Sequence, residues 1–373
     1  MPSASSIERV ELYAYTLTYR HGTYLMSRGR AVTSLTSTVV VLRASDGTSG
    51  YGEVCPLGPT YLPAFAGGAQ AALAELAPAV LGLPAGNAGR LQAAMDAALA
   101  GHAYAKSALD IAATDLAGRL LGVPASELLG GRRSSAVPLY VAVPLAPPEE
   151  MAAFVERERA GGMHRFQLKL GAAAAEDAAR VRAVVEATGE EDVIVADANG
   201  GWRLAEAVHA AGLLAGLPRL RLEQPCPTLE ECLQVRARTD LPLVLDEVIL
   251  DLASLLRAAA ERAVEGVNLK LSRVGGLNRA RLLRDACSEL GIELTLEDSW
   301  GGDLCTAAVA HLAGSTDPAA LYAASFMNDW TLEHLAGHEP RSSGGLGPVP
   351  DGPGLGIEVD ESLLGEPLLV VPA

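Results

Sequence analysis

Cysteine is scarce in this 373-residue sequence. Its five cysteines (Cys55, Cys226, Cys232, Cys287 and Cys305) are scattered, odd in number and never spaced as C-x-x-C. That argues against a disulfide framework and against a thiolate zinc site, and it fits free thiols in a reducing cytoplasm. Grouped basic residues are also missing. Lys and Arg number 29 against 45 Asp and Glu, for a net charge of −16. Nucleic-acid binding is therefore not expected, because phosphate contacts need clustered cations. The start, "MPSASSIERVELYAY", has no basic region followed by an apolar stretch, so a secretory leader is not expected either. No apolar run is long enough to span a bilayer. A cytoplasmic protein with no membrane partner is the expectation.

What is present fits a folded enzyme. The chain is 49% hydrophobic and 20% charged, and it is long enough for two domains. In the first third, "RVELYAYTL" and "LTSTVVVLRAS" have strand composition, and Asp46-Gly47 is a hairpin turn leading into "SGYGEV". Residues 19–33 and 55–68 lack regular pattern and read as loops. Helical spacing follows over about 68–81, 89–100 and 102–121. Beyond residue 137 short apolar runs recur, each followed by an alanine- and leucine-rich helical stretch. They begin near residues 138, 166, 193, 219, 242, 266, 292 and 320. Eight alternating units imply a parallel sheet closed as a (β/α)8-type barrel. A doubly wound open sheet would bring a glycine-rich loop after its first strand, and "PLYVAVPLAPPEE" has none. The glycine- and proline-rich tail reads as an irregular segment packing back on the N-terminal part.

In such a barrel, functional groups sit at the C-terminal ends of the strands. The third, fourth and fifth runs end in Asp197, Glu223 and Asp246, in the contexts "VADAN", "RLEQP" and "VLDEV". Three carboxylates converging on one mouth repel each other unless a cation lies between them. Oxygen-only ligands of this hardness point to Mg²⁺. Two lysines flank the set. Gln167 and Lys169 share one face of the second strand by the two-residue period, and Lys270 faces opposite to Leu269 and Leu271 on the sixth. A lysine inside an apolar run is explained if it aims at the reaction centre. Beside a divalent cation and partly desolvated, it is expected to have a lowered pKa suited to a general base.

These residues resemble the enolase superfamily, in its muconate lactonising and racemase-like branch, over nearly the whole chain. The resemblance implies a (β/α)7β modified TIM barrel with an N-terminal α+β capping domain. Its bounds are 1–132 for the cap, 133–345 for the barrel and 346–373 for the C-terminal segment. It also implies Lys169 and Lys270 as acid/base groups, Asp197, Glu223 and Asp246 as Mg²⁺ ligands, and a homo-oligomer. The branch usually carries Lys-x-Lys on the second strand; here Gln167 replaces the first lysine, which removes a neighbouring charge but not the catalytic group. The chemistry implied is removal of the proton α to a carboxylate through an enediolate, followed by epimerisation or by loss of a β-hydroxyl.

Finer resemblance in "YGEVCPLGPTYLPAF", "GHAYAKSALDIAATDL" and "EDSWGGD" is to the group acting on proline-type amino acids. That group comprises hydroxyproline-betaine 2-epimerases and cis-3-hydroxyproline dehydratases. The expected partner is thus a small carboxylate with a cationic nitrogen. Tyr61, Trp300 and Phe326 are candidates for its aromatic walls, and Asp298 for its acid. Epimerisation at C2 is the first expectation and dehydration of cis-3-hydroxy-L-proline the alternative. Arg28 or Arg30, in "MSRGR", is a candidate for contact with the substrate carboxylate. Dipeptide epimerases usually carry Asp-x-Asp on the eighth strand, which "AASFMNDW" lacks, and acid-sugar dehydratases usually place a late strand-end histidine, whereas His311 lies in a helical stretch. A binding protein on this fold would not be expected to keep both lysines and all three carboxylates.

Overall fold

Two glycines set how closely the first helices approach the first sheet. A Cβ at Gly50 would strike the carbonyl of Ala112, and one at Gly52 the carbonyl of Ala108. The computed structural model describes residues 5–261 and 264–373, without the Arg28 side chain. Strand Ser34–Ala44 pairs antiparallel with Ile7–Thr18 on one side and with Ser49–Val54 on the other. Gly47 turns the hairpin with φ +88°, a conformation glycine adopts without steric cost. Val40 and Leu42 face helices α1 (Ala66–Val80), α2 (Ala88–Ala98) and α3 (Ala103–Leu121), whereas Val39 and Val41 face the second core. Burial on both faces accounts for the unbroken "VVVL" run.

From residue 141 the alternating pattern forms one parallel sheet whose eight strands follow chain order. They are Val141–Val143, Arg165–Lys169, Val193–Asp197, Leu220–Glu223, Leu243–Leu245, Gly266–Lys270, Glu293–Glu297 and Leu321–Ala324. A bridge between Leu139 and Ala324 joins the first strand to the eighth and closes the ring. Seven strands are each followed by a helix, the last being Asp303–Gly314, and the eighth by a short 3₁₀ turn, Met327–Trp330. Among the described residues this is the (β/α)7β arrangement. Phe166, Leu168, Ile194, Ala196, Leu222 and Leu269 face the helices, which turns Gln167, Lys169, Asp197, Glu223, Asn268 and Lys270 into the barrel.

The tail is more regular than its composition suggests. Leu346–Pro348 pairs with Ala136–Pro138, and Leu369–Pro372 adds an antiparallel edge strand to Ile7–Thr18. Two buried carboxylates lock cap to barrel. Glu53, on Ser49–Val54, accepts from the Gly302 and Cys305 amides at 2.8 and 3.0 Å, at the start of helix Asp303–Gly314. Asp110, on α3, accepts from the Asn278 amide at 3.1 Å, at the start of helix Leu277–Leu290. Both complete orphan donors at helix N-termini, where negative charge is favoured. No described helix is long and apolar enough to cross a membrane.

Candidate active site

Lys169 and Lys270 stand on the second and sixth strands of an eight-stranded ring, four strands apart, and line one chamber. Lys169 Nζ lies 2.6 Å from Asp197 Oδ2. Lys270 Nζ lies 2.7 Å from Asp246 Oδ2 and 2.6 Å from Glu297 Oε1. Arg273 Nη1 reaches Asp246 Oδ1 at 2.5 Å. All of these groups are buried. The question raised by a lysine inside "GVNLKLS" is answered by register: Lys270 pairs with Glu297 and points inward.

Glu223, between the two lysine–aspartate pairs, has no ion-pair partner among the described residues. Its oxygens accept from Gln167 Nε2 and Asn268 Nδ2, each at 2.9 Å. Neutral amides orient a carboxylate without cancelling its charge. Burial, then repulsion from Asp197 and Asp246, pushes the Glu223 carboxyl well above its ordinary value. Burial raises Asp246 too, but Arg273 and Lys270 outweigh it and hold the carboxyl at about 2. Glu247, the residue after Asp246, is pushed up to about 7 by burial and then by its acidic neighbours. The cluster is therefore short of positive charge, and its donors are all oxygen. Asp197, Glu223 and Asp246 fit a hard divalent cation such as Mg²⁺.

The lysines depart from expectation in one respect. Burial alone lowers the Lys169 ammonium, but Asp197, Tyr24 and Glu223 outweigh it and raise its pKa well above the ordinary lysine value. Lys270 is raised in the same way by Asp246 and Glu297. The lowered pKa expected from sequence is thus not what the structure shows: the acidic neighbours outweigh burial at both lysines. Among the described residues, the group whose ligand atoms already lie within metal-ligand spacing is a different one, His164, Glu191 and Asp192, at the opposite, N-terminal ends of the strands. There Arg159 already neutralises Asp192 at 2.6 Å.

The remaining sequence candidates divide. Tyr61 lines the chamber, with its hydroxyl 3.3 Å from Asp246 Oδ2 and the Arg30 guanidinium 5.3 Å from its ring centre. Arg30 is itself held by the Ser27 carbonyl at 3.1 Å. The Arg28 side chain lies outside the described residues. Trp300 lines the chamber and meets Tyr24 and Trp330 edge-on, with ring centres 5.5 and 5.8 Å away. Phe326 does not line it. A register shift between Leu321 and Ala323 inverts the alternation of the eighth strand, so the Phe326 ring turns outward and lies against Gly347. Asp298 borders the chamber, but its carboxylate is committed to protein donors. These are the Ser272 amide and hydroxyl, the Ser299 amide at 2.7 Å and the Cys305 thiol. The inward acid is Glu297, one residue earlier, in register with Lys270 and bonded by the Tyr140 hydroxyl. Sequence reasoning missed Glu297, Tyr140, Asn268, Arg273, Asn199, Tyr24 and Trp330. It is the pairing register with the sixth strand that sets Glu297, not Asp298, at the inward position.

Comparison with known proteins agrees with this geometry. Residues 16–130 match the mandelate racemase / muconate lactonizing enzyme N-terminal domain, and residues 150–363 match the enolase C-terminal domain-like family. A cis-3-hydroxy-L-proline dehydratase from Roseibium aggregatum is 43% identical over 97% of this chain and 98% of its own. An N-succinyl-L-Arg/Lys racemase from Bacillus cereus is 29% identical over 96% and 97%. The crystal structure of a mandelate racemase/muconate lactonizing enzyme from Roseovarius nubinhibens superposes with a TM-score of 0.95 at 36% identity, covering 99% of both chains. Another structure from that organism, complexed with magnesium, gives 0.94 at 35% identity over 98% of this chain and all of the other. The chain belongs to the enolase superfamily, in its mandelate racemase / muconate lactonizing enzyme family, and is an enzyme of that superfamily.

Proposed function

We propose that the enzyme removes the proton α to the carboxylate of a compact cyclic amino acid and expels a β-hydroxyl, with cis-3-hydroxy-L-proline as the substrate type. The observation that carries this reading is the pair of buried lysines on opposite sides of one carboxylate-rich chamber. In the cis isomer the 3-hydroxyl shares a face with the carboxylate, so the α-hydrogen lies on the other face. One lysine takes the α-proton, its electron pair forms the Cα–Cβ double bond, and the opposite lysine protonates the departing hydroxide as water. The resulting enamine tautomerises to a pyrroline carboxylate. Asp197, Glu223 and Asp246 would hold Mg²⁺. When bound, that ion stabilises the charge that develops on the substrate carboxylate as the proton leaves.

The other contacts suit this substrate. The faces of Tyr24, Trp300 and Trp330 supply aromatic surface for a cationic ring nitrogen, and Glu297, already bonded by Lys270 and the Tyr140 hydroxyl, adds negative charge beside it. The sequence put epimerisation first; the 43% identical dehydratase supports reversing that order. Epimerisation at C2 of a proline or its betaine is the second reading, favoured by the same opposed lysines.

The test is ¹H NMR in D₂O with Mg²⁺ on cis- and trans-3-hydroxyproline, 4-hydroxyproline, proline betaine and 4-hydroxyproline betaine. Conversion of the cis-3 isomer to a pyrroline carboxylate is expected. Inversion at C2 with the ring substituents kept would favour the second reading. Retention of every α-proton would contradict both.

A further inference from the structure

Asn199 carries three features that the account so far leaves unexplained. Its backbone is left-handed, with φ +46°, a cost that a non-glycine residue bears only where its surroundings fix it. Its amide donates to Asp197 Oδ1 at 2.7 Å, and its Nδ2 donates to Glu247 Oε1 at 3.1 Å. The Asn199 side-chain nitrogen faces Glu247, which leaves Oδ1 turned the other way. That Oδ1 is buried without a hydrogen-bond partner among the described residues, and so is Glu247 Oε2. Asn199 borders the chamber, and the pair ties the third strand end, which carries Asp197, to the fifth, which carries Asp246.

Two buried, unpartnered acceptors beside three carboxylates cannot be there to bind another anion. Leaving each unmade costs stability. What satisfies them must donate protons and must tolerate, or bring, positive charge. Mg²⁺ keeps several of its waters when protein-bound, and those waters are strong donors. We infer that Asn199 and Glu247 act together from the outer sphere, accepting hydrogen bonds from metal-bound water and setting the affinity of the Asp197–Glu223–Asp246 site for its ion. This rests on the metal reading given under Proposed function. It makes both positioning residues that act through the ion.

Isothermal titration of Mg²⁺ into the full-length protein tests it. Asn199→Gly keeps the left-handed backbone and the amide bond to Asp197 while removing only the side chain. Glu247→Gln keeps size and one acceptor while removing the charge. Each is expected to weaken Mg²⁺ binding roughly 10- to 100-fold, with the melting temperature measured in EDTA little changed. Mg²⁺ affinities within twofold of the parent in both variants would overturn the inference, as would a loss of metal-free stability with no loss of affinity. If the parent protein bound no Mg²⁺ while Asp246→Asn behaved identically, the metal reading itself would fall. Failure of that kind is separable from failure of the pair alone.

Discussion

The two ends of the barrel are built from the same strands and solve opposite problems. At the N-terminal floor, the inward residues Arg165 and Arg221 flank the ring of Tyr322 at 5.5 and 4.4 Å, and Arg221 pairs with Glu293. Cations there meet an aromatic face and an acid. At the C-terminal mouth, two residues further along the second strand and again two beyond that, come Gln167 and Lys169. There, buried carboxylates crowd together, and among the described residues Glu223 has no ion-pair partner. Three acceptors at the mouth, Asn199 Oδ1, Glu247 Oε2 and Asn268 Oδ1, lack hydrogen-bond partners among the described residues, whereas the unpartnered floor atoms include the donors Arg165 Nε and the Tyr322 hydroxyl. The floor is organised to be stable as protein; the mouth is organised to be completed by a ligand. Strain does not follow that division: Asn199 and Gln224 hold positive φ at strand ends of the mouth, and Arg219 does so at the floor.

The comparison breaks most sharply at the lysines. Lys169→Met and Lys270→Met should each lower turnover by about 10³-fold with an unchanged circular dichroism spectrum. A loss below tenfold in either would remove that lysine from the chemistry. Next comes the frame that holds cap, barrel and tail together. His311 accepts from the Ser126 amide at 3.2 Å through Nδ1, and its Nε2 meets the Leu355 carbonyl at 3.0 Å. Burial holds its pKa down at about 4, so the folded protein keeps it neutral while the unfolded chain takes up a proton near pH 6.5. Its contribution is complete above pH 6.5 and is lost as pH falls towards 4, by about 3 kcal/mol. Chemical denaturation across that window should show the fall, and His311→Gln, which keeps one donor and one acceptor, should flatten it.

Two smaller effects separate mouth from floor directly. Mg²⁺ at about 100 times its dissociation constant should stabilise the parent protein by about 2.7 kcal/mol. Glu223→Gln should lose most of that gain and Arg221→Met should keep it, as read by denaturation with and without the ion. Arg221→Met should cost about 1 kcal/mol of stability from the lost ion pair and ring contact and leave α-proton exchange within twofold. A floor substitution that abolished exchange would erase the distinction between the two ends.

Much of the frame was legible because it rests on period and spacing. Eight apolar runs with inward polar residues fixed the barrel, and "VADAN", "RLEQP" and "VLDEV" named three of its mouth carboxylates. Phe326 was misplaced because a register shift in the eighth strand leaves no mark in composition. Asp298 drew attention away from Glu297 because the strand's last inward position cannot be told from the first residue of the turn without the pairing register. Tyr24 and Trp330 come from a two-residue strand, Tyr24–Leu25, and a 3₁₀ turn far apart in sequence, and only the closed ring brings them to Trp300. The tail's edge strand was hidden for a similar reason. Its partner, Ile7–Thr18, lies at the other end of the chain.

The central claim is that Lys169 and Lys270 address opposite faces of one bound substrate, and stereochemically resolved hydrogen exchange tests it most directly. In D₂O with Mg²⁺, L- and D-proline would each be incubated with the parent protein, Lys169→Met and Lys270→Met, and α-deuterium followed by NMR. The account predicts that the parent exchanges at least one enantiomer, and that one lysine variant abolishes exchange of that enantiomer while the other retains it. Equal loss in both variants, or exchange that survives in both, would contradict it.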